Sequence, residues 1–200
     1  MKARFLPCSL AVVILLSGYI TIIPPTSANQ ALKIAQSIWK RFYSPAGGFS
    51  ILMPGTPIQS QQKVNTKNGA VEVNIFTVER PQDEVKYTVS YIDYPEDYIE
   101  ILKRNNLVEQ AIDAGKKTAL QNANGTLISE TKISLGDYLG KEINYTKPGD
   151  KIIKHRIFLV EKRLYQVSAE TTKKKQKYLT KSIMGFCDSF TLLPKNSNPI

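Results

Sequence analysis

Groups that carry chemistry are scarce in this 200-residue chain, and each scarcity excludes something. There is one histidine, His155, so imidazole catalysis runs through that residue or not at all. Cys8 and Cys187 are the only cysteines, and Cys8 lies in a leader-like segment, so Cys187 has no partner for an internal disulfide and the fold must hold by packing. A structural zinc site takes about four Cys or His ligands, more than Cys187 and His155 supply. No Gly-x-Ser-x-Gly elbow supplies an activated serine. Gly47-Gly48 lacks the Lys-Ser/Thr of a phosphate loop, and the Asp-x-Asp-x-Asp-Gly spacing of a calcium loop is absent. The one long apolar run, Leu10 to Ile23, holds 14 residues, whereas a helix needs roughly 20 to cross a bilayer.

That run is nevertheless informative. Lys2 and Arg4 precede it, and Pro24-Pro25 and the small residues Thr26-Ser27-Ala28 follow, the layout of an export signal cleaved after Ala28. An uncleaved anchor is the alternative. Cys8 precedes the apolar core, the wrong side for a lipid-modified cysteine. The expected location is outside the cytoplasm, in a periplasm or thylakoid lumen. Residues 29–200 are enough for one domain with a real core. They carry 25 basic against 17 acidic residues, a net +8 that draws the protein toward anionic surfaces.

The remainder divides by periodicity. Leu32, Ala35, Ile38, Trp39 and Phe42 recur at helical spacing, so residues 29–45 read as a short basic amphipathic helix and linker. Ser44-Pro45-Ala46-Gly47-Gly48 breaks the pattern, and strands are expected at Phe49–Met53, Ile58–Thr66, Ala70–Val78 and around Tyr87–Asp93. Asn68-Gly69 suits a tight hairpin turn between the second and third of these. One long helix is expected from Pro95 to about Ala119, with Glu96, Asp97 and Glu100 at its positive end and Asn105 as the one polar residue in its apolar stripe. Asn122 to Gly125 stops it. Strands follow at Thr126–Leu135, Tyr138–Thr146, Ile152–Val160 and Leu164–Glu170. Thr171 or Thr172 caps a final helix whose shared face is Tyr178, Leu179, Ile183 and Phe186. Ser189–Leu193 closes as an edge strand, and residues 194–200 form a flexible tail.

This order implies an α+β fold: an α/β/α sandwich with a mostly antiparallel sheet covered by two main helices. The Gly47-Gly48-Phe49-Ser50-Ile51-Leu52-Met53-Pro54 opening, the Tyr-Thr-Val-Ser-Tyr strand, the long helix and the closing Ser189-Phe190 resemble the PsbP-like proteins over residues 46–193. That family includes the extrinsic lumenal subunit of the oxygen-evolving photosystem. The resemblance implies the same sandwich and a non-enzymatic accessory or assembly role, with no catalytic motif to carry over.

His155 lies in a strand with Ile153, Ile157 and Leu159 on its face and reads as half-packed at the sheet margin, its protonation opposed by Lys154 and Arg156. Asp93, Glu96, Asp97 and Glu100 are accounted for by the helix dipole, and Cys187 reads as a buried inert thiol. The expected contact surface is basic: Lys154, Arg156, Lys162, Arg163, Lys173, Lys174, Lys175 and Lys177 would merge if the 152–170 hairpin lies beside the final helix. No nucleic-acid recognition motif interleaves aromatics with these lysines, and an exported protein is not expected to meet nucleic acid. The expected partner is an acidic protein, a membrane-associated complex or an anionic membrane surface. No catalytic residue, cofactor or metal is expected. The alternatives are a small envelope enzyme without a recognisable motif and a periplasmic ligand-binding module.

Overall fold

The computed structural model describes residues 38–66 and 69–194; the leader expected over residues 1–28 and most of the tail lie outside them. Seven antiparallel strands form the main sheet in the order β3-β4-β5-β9-β8-β7-β6. They are β3 (Ile58–Thr66), β4 (Gly69–Arg80), β5 (Val85–Asp93), β6 (Thr126–Leu135), β7 (Tyr138–Lys147), β8 (Lys151–Val160) and β9 (Arg163–Thr172). A small second sheet joins β1 (Lys40–Ser44), β2 (Phe49–Met53) and β10 (Thr191–Leu192), with β2 in the middle. Helices α1 (Glu96–Arg104) and α2 (Val108–Asn122) cover one face of the main sheet; α3 (Lys173–Asp188) and the small sheet cover the other. The architecture is the α+β sandwich expected.

Alternation explains the layering. Tyr87, Val89 and Tyr91 of β5, Val167 and Ala169 of β9, and Phe158 of β8 point to one face and pack against Ile183 and Phe186 of α3 and Phe49 and Ile51 of β2. Ile92, Leu164, Ile157 and Leu159 point the other way, against Ile99 and Leu102 of α1 and Ile112 of α2. Phe49 is the aromatic hub of the first face, with ring contacts to Phe42, Phe76, Tyr91, Tyr165 and Phe190. Each such pair contributes about 0.5–1.5 kcal/mol beyond area burial.

Three expectations need correction. Of the amphipathic helix expected over residues 29–45, residues 29–37 lie outside the described ones, and its last part is a strand instead: Lys40–Ser44 pairs antiparallel with β2, and Phe42 packs on Phe49 and Phe76. Tertiary pairing overrides a helical spacing that rests on only a few residues. The long helix is two helices. Asn106 adopts φ 54, Leu107 N–H donates to Leu102 O at 2.7 Å and Asn106 N–H to Lys103 O at 3.2 Å, a Schellman closure ending α1. The break rotates the stripe, so Ile99 is buried while Ile101 is exposed. The same closure ends α2 at Asn124 (φ 45). Finally, Tyr178 is 70% exposed instead of joining Ile183 and Phe186 inside. Thr172 does cap α3, accepting from the Lys175 N–H at 3.3 Å.

Gly140 on β7 is required by close approach: an added Cβ would lie 2.4 Å from the Phe158 ring and 2.7 Å from Ile157 O. Gly140→Ala is expected to destabilise the fold by about 1–3 kcal/mol through overpacking, read from urea denaturation.

Candidate functional site

The basic residues anticipated as one surface are separated by the sheet. Lys151 pairs with Thr172 at one end of β8–β9, and Val160 with Arg163 at the other. Ten-residue strands put these ends roughly 30 Å apart, so Lys162 and Arg163 are remote from Lys173.

Arg163 is committed internally. It grips Asp93 with two hydrogen bonds of 2.6 Å, donates to Ala46 O at 2.9 Å, and lies 4.3 Å from the centre of the Tyr91 ring. The Asp93 hydrogen bonds, against burial, hold its pKa above even the usual guanidinium range. Tyr165 Oη donates to Gly47 O at 2.7 Å, so this end of the hairpin clamps the Gly47–Gly48 turn. Lys162 pairs with Glu96 at 2.8 Å. Asp93 and Glu96, read from sequence as helix-dipole residues, thus also tie the α1 entry to the β8–β9 turn.

Lys154 and Arg156 both engage Glu142, and Arg156 also meets Asp188 at 2.6 Å. Burial disfavours the Glu142 carboxylate, but hydrogen bonds from Lys154 and Arg156 outweigh it and hold its pKa below the usual range. Beside Arg156, a cleft of about 230 Å³ opens between β6 and the end of α3, lined by Ile133, Leu135, Phe158, Cys187 and Phe190 among others. Burial pushes the Cys187 thiol up to about 12, so it is protonated and inert at neutral pH.

A second ionic cluster was missed in the sequence because its members lie on three elements. Lys141 of β7, 6% exposed, meets Asp113 of α2 at 2.6 Å and Glu130 of β6 at 2.8 Å; Lys116 joins both acids and Lys132 pairs with Glu109. Burial opposes the Lys141 charge, but the two acids more than restore it and raise its pKa. The cluster balances three lysines with three acids and fastens α2 to the sheet edge.

What remains is α3. Its exposed positions include Lys173, Lys174, Lys177, Tyr178, Lys181 and Met184. Lys173 lies 3.4 Å from Asp150, and half-buried Lys175 only 4.0 Å from Glu84. Among the described residues, Lys174, Lys177 and Lys181 have no acidic partner; Lys177 Nζ stands 4.8 Å over the Tyr178 ring. No acid occupies the first turn of α3, where three lysines face the positive end of the helix dipole. Each such charge costs about 0.3–1 kcal/mol. Asp150 and Glu84 offset Lys173 and Lys175 in part; for Lys174 no acid among the described residues does so. Of the eight basic residues anticipated, Lys173, Lys174 and Lys177 face solvent on α3, as does Lys181, also expected there, while Lys175 is half-buried.

His155 is the sharpest correction among the sequence candidates. It is buried beneath α2, not at a margin, and points to the face opposite Lys154 and Arg156. Burial, not those neighbours, depresses its pKa to about 4, with the nearby Gln166 amide opposing this only in part. Tyr145 Oη lies 3.5 Å from its Nδ1, and among the described residues its Nε2 has no hydrogen-bond partner.

Among the described residues no helix is long and apolar enough to cross a membrane. Neither a family profile nor any curated protein sequence matches the chain. Solved structures do. Cyanobacterial PsbP (CyanoP) from Synechocystis sp. PCC 6803 is similar with a TM-score of 0.51 at 11% identity, over 82% of this chain and 98% of that one. Protein PA94 of unknown function from Pseudomonas aeruginosa, a putative regulator, matches at a TM-score of 0.39 and 13% identity, over 68% and 99%. LpqN of Mycobacterium tuberculosis, involved in cell envelope biogenesis, matches at 0.39 and 11%, over 80% of each chain. The first likeness defines the fold as PsbP-like.

Because the folded-state pKa of His155 lies below its ordinary 6.5, its contribution is full above pH 6.5 and is lost as pH falls toward 4. The loss between pH 7 and pH 4 is roughly 3 kcal/mol. His155→Gln is expected to flatten that part of the stability–pH curve in urea titrations, separating it from the acid titration of the carboxylates.

Proposed function

We propose that this chain is an exported accessory or assembly protein that docks, through the solvent face of α3, on an acidic membrane-associated partner. The observation that carries the reading is the run of lysines at the start of α3, set against the helix dipole and left without acidic partners at Lys174, Lys177 and Lys181. A local rule broken at a cost to stability, with no gain in packing, marks a surface kept for something outside the fold. Tyr178 and Met184, at 70% and 46% exposure, place apolar area among these charges, the mixture of anchor and rim that protein contacts use. The leader-like residues 1–28 support export, and the PsbP-like fold supports an accessory role.

The test is association of the purified protein with its own membrane fraction. Reversing Lys174, Lys177 and Lys181 to Glu is expected to weaken binding by about tenfold or more at low ionic strength, and raising salt is expected to weaken the parent in the same way. Reversing Lys103 and Arg104 at the end of α1, on the far side of the sheet, is expected to leave binding unchanged. Equal losses from both sets would refute the α3 assignment.

A further inference from the structure

The cleft of about 230 Å³ beside Arg156 has an apolar lining: Ile133 and Leu135 of β6, Phe158 of β8, and Phe190, with the Phe158 and Phe190 rings stacked 6.2 Å apart. Pockets that enclose a whole small molecule measure roughly 300–1,000 Å³, so this one suits a single anchoring side chain. We propose that the cleft receives an apolar side chain from an acidic segment of the partner protein, whose carboxylates then meet Lys181 and Lys177. This rests on the α3 docking surface proposed above and names what that surface recognises.

Helical spacing joins the cleft to the lysines. Lys177, Lys181, Met184 and Asp188 recur at i, i+4, i+7 and i+11 and so lie along one stripe of α3. Asp188 lines the cleft, and the exposed Met184 lies between it and Lys181. Helix α3 packs on β9, β8 and β2, while Ser129 and Thr131, on the same face of β6 as Ile133, stay exposed. A chain leaving the cleft therefore finds an open shelf beside this flank of the helix.

Charge selects the occupant. At the mouth, Asp188 is held by Arg156, and Glu142 by Lys154 and Arg156, so the local charges cancel. Along the stripe, the first cation without an acidic partner among the described residues is Lys181, about 10 Å from Asp188 along the helix axis; Lys177 follows at about 16 Å. An anionic lipid carries its charge next to the chain that would fill the cleft, where the mouth is already neutral. An extended polypeptide advances about 3.3 Å per residue, so acids three and five positions from an apolar anchor reach both lysines. A buried anchor with charged contacts at its rim is the division of labour that protein contacts use.

The probes are the peptide acetyl-Phe-Ser-Ser-Glu-Ser-Glu-amide, the same peptide with Ala for Phe or Gln for Glu, and phosphatidylglycerol vesicles. In NMR titrations of the parent protein, the Phe peptide is expected to shift the methyl resonances of Ile133 and Leu135, and each altered peptide to bind about tenfold more weakly. Ile133→Trp, whose larger side chain is expected to fill the cleft, should weaken association with the membrane fraction about tenfold, its fold being checked by the urea midpoint. Methyl resonances that stay in place, or an Ala peptide that binds as tightly as the Phe peptide, overturn the cleft assignment. Vesicles that shift the same methyls overturn the acidic segment in favour of lipid. Failure of the docking surface itself shows differently: the Lys174, Lys177 and Lys181 reversals would leave membrane association unchanged, whereas an effect of those reversals without one from a folded Ile133→Trp sinks the cleft alone.

Discussion

Val89, Val167, Ile157 and Leu164 have no exposure to solvent, although they lie on both faces of a single sheet. Central strands buried on both sides cannot be satisfied by one layer of helices, so the chain must supply a second. It does so with α1 and α2 on one face and, on the other, α3 together with the small β1-β2-β10 sheet. The aromatic hub at Phe49 and the Arg163 clamp on the Gly47–Gly48 turn serve that second layer, fixing β2 over Tyr91 and Tyr165. With no disulfide available to the described residues, this double coverage is what holds the domain together.

The same geometry decides which charges are free. Cations over the sheet or at its hairpin ends meet acids brought from distant parts of the chain: Arg163 with Asp93, Arg156 with Glu142 and Asp188, Lys141 with Asp113 and Glu130. A helix lying across the sheet has a solvent face with no opposite wall. Among the described residues, Lys174, Lys177 and Lys181 of α3 are left without acidic partners for that reason.

Much of the fold was legible from the residues. The hairpins from Thr126 to Thr172 follow from alternating apolar positions and turn residues, and Thr172 announces α3. What was not legible depends on contacts far apart in sequence. Lys40–Ser44 becomes a strand only because β2 lies beside it. The division at Asn105-Asn106 hides in a stripe that still sums to an amphipathic helix, because asparagine tolerates the left-handed conformation without advertising it as glycine does. His155 looked marginal because its strand neighbours are Lys154 and Arg156; alternation sends those to the other face, and only α2 overhead makes the histidine interior. Of the candidate site, the α3 lysines were identifiable as a run, but their separation from Lys162 and Arg163 needed the length of β8 and β9.

Strands β6, β7 and β8 each pair with their immediate successor, whereas β5 joins β9, bringing together Asp93 and Arg163, 70 positions apart. Closing the short loops costs little entropy and closing the long one costs more. A nascent polypeptide leaves the ribosome with β5 complete, and apolar on both sides, well before β9 has been synthesised. During that interval the N-terminal half carries a sticky unfinished border, which makes the pace of translation and the company of chaperones matter most between Asp93 and Arg163.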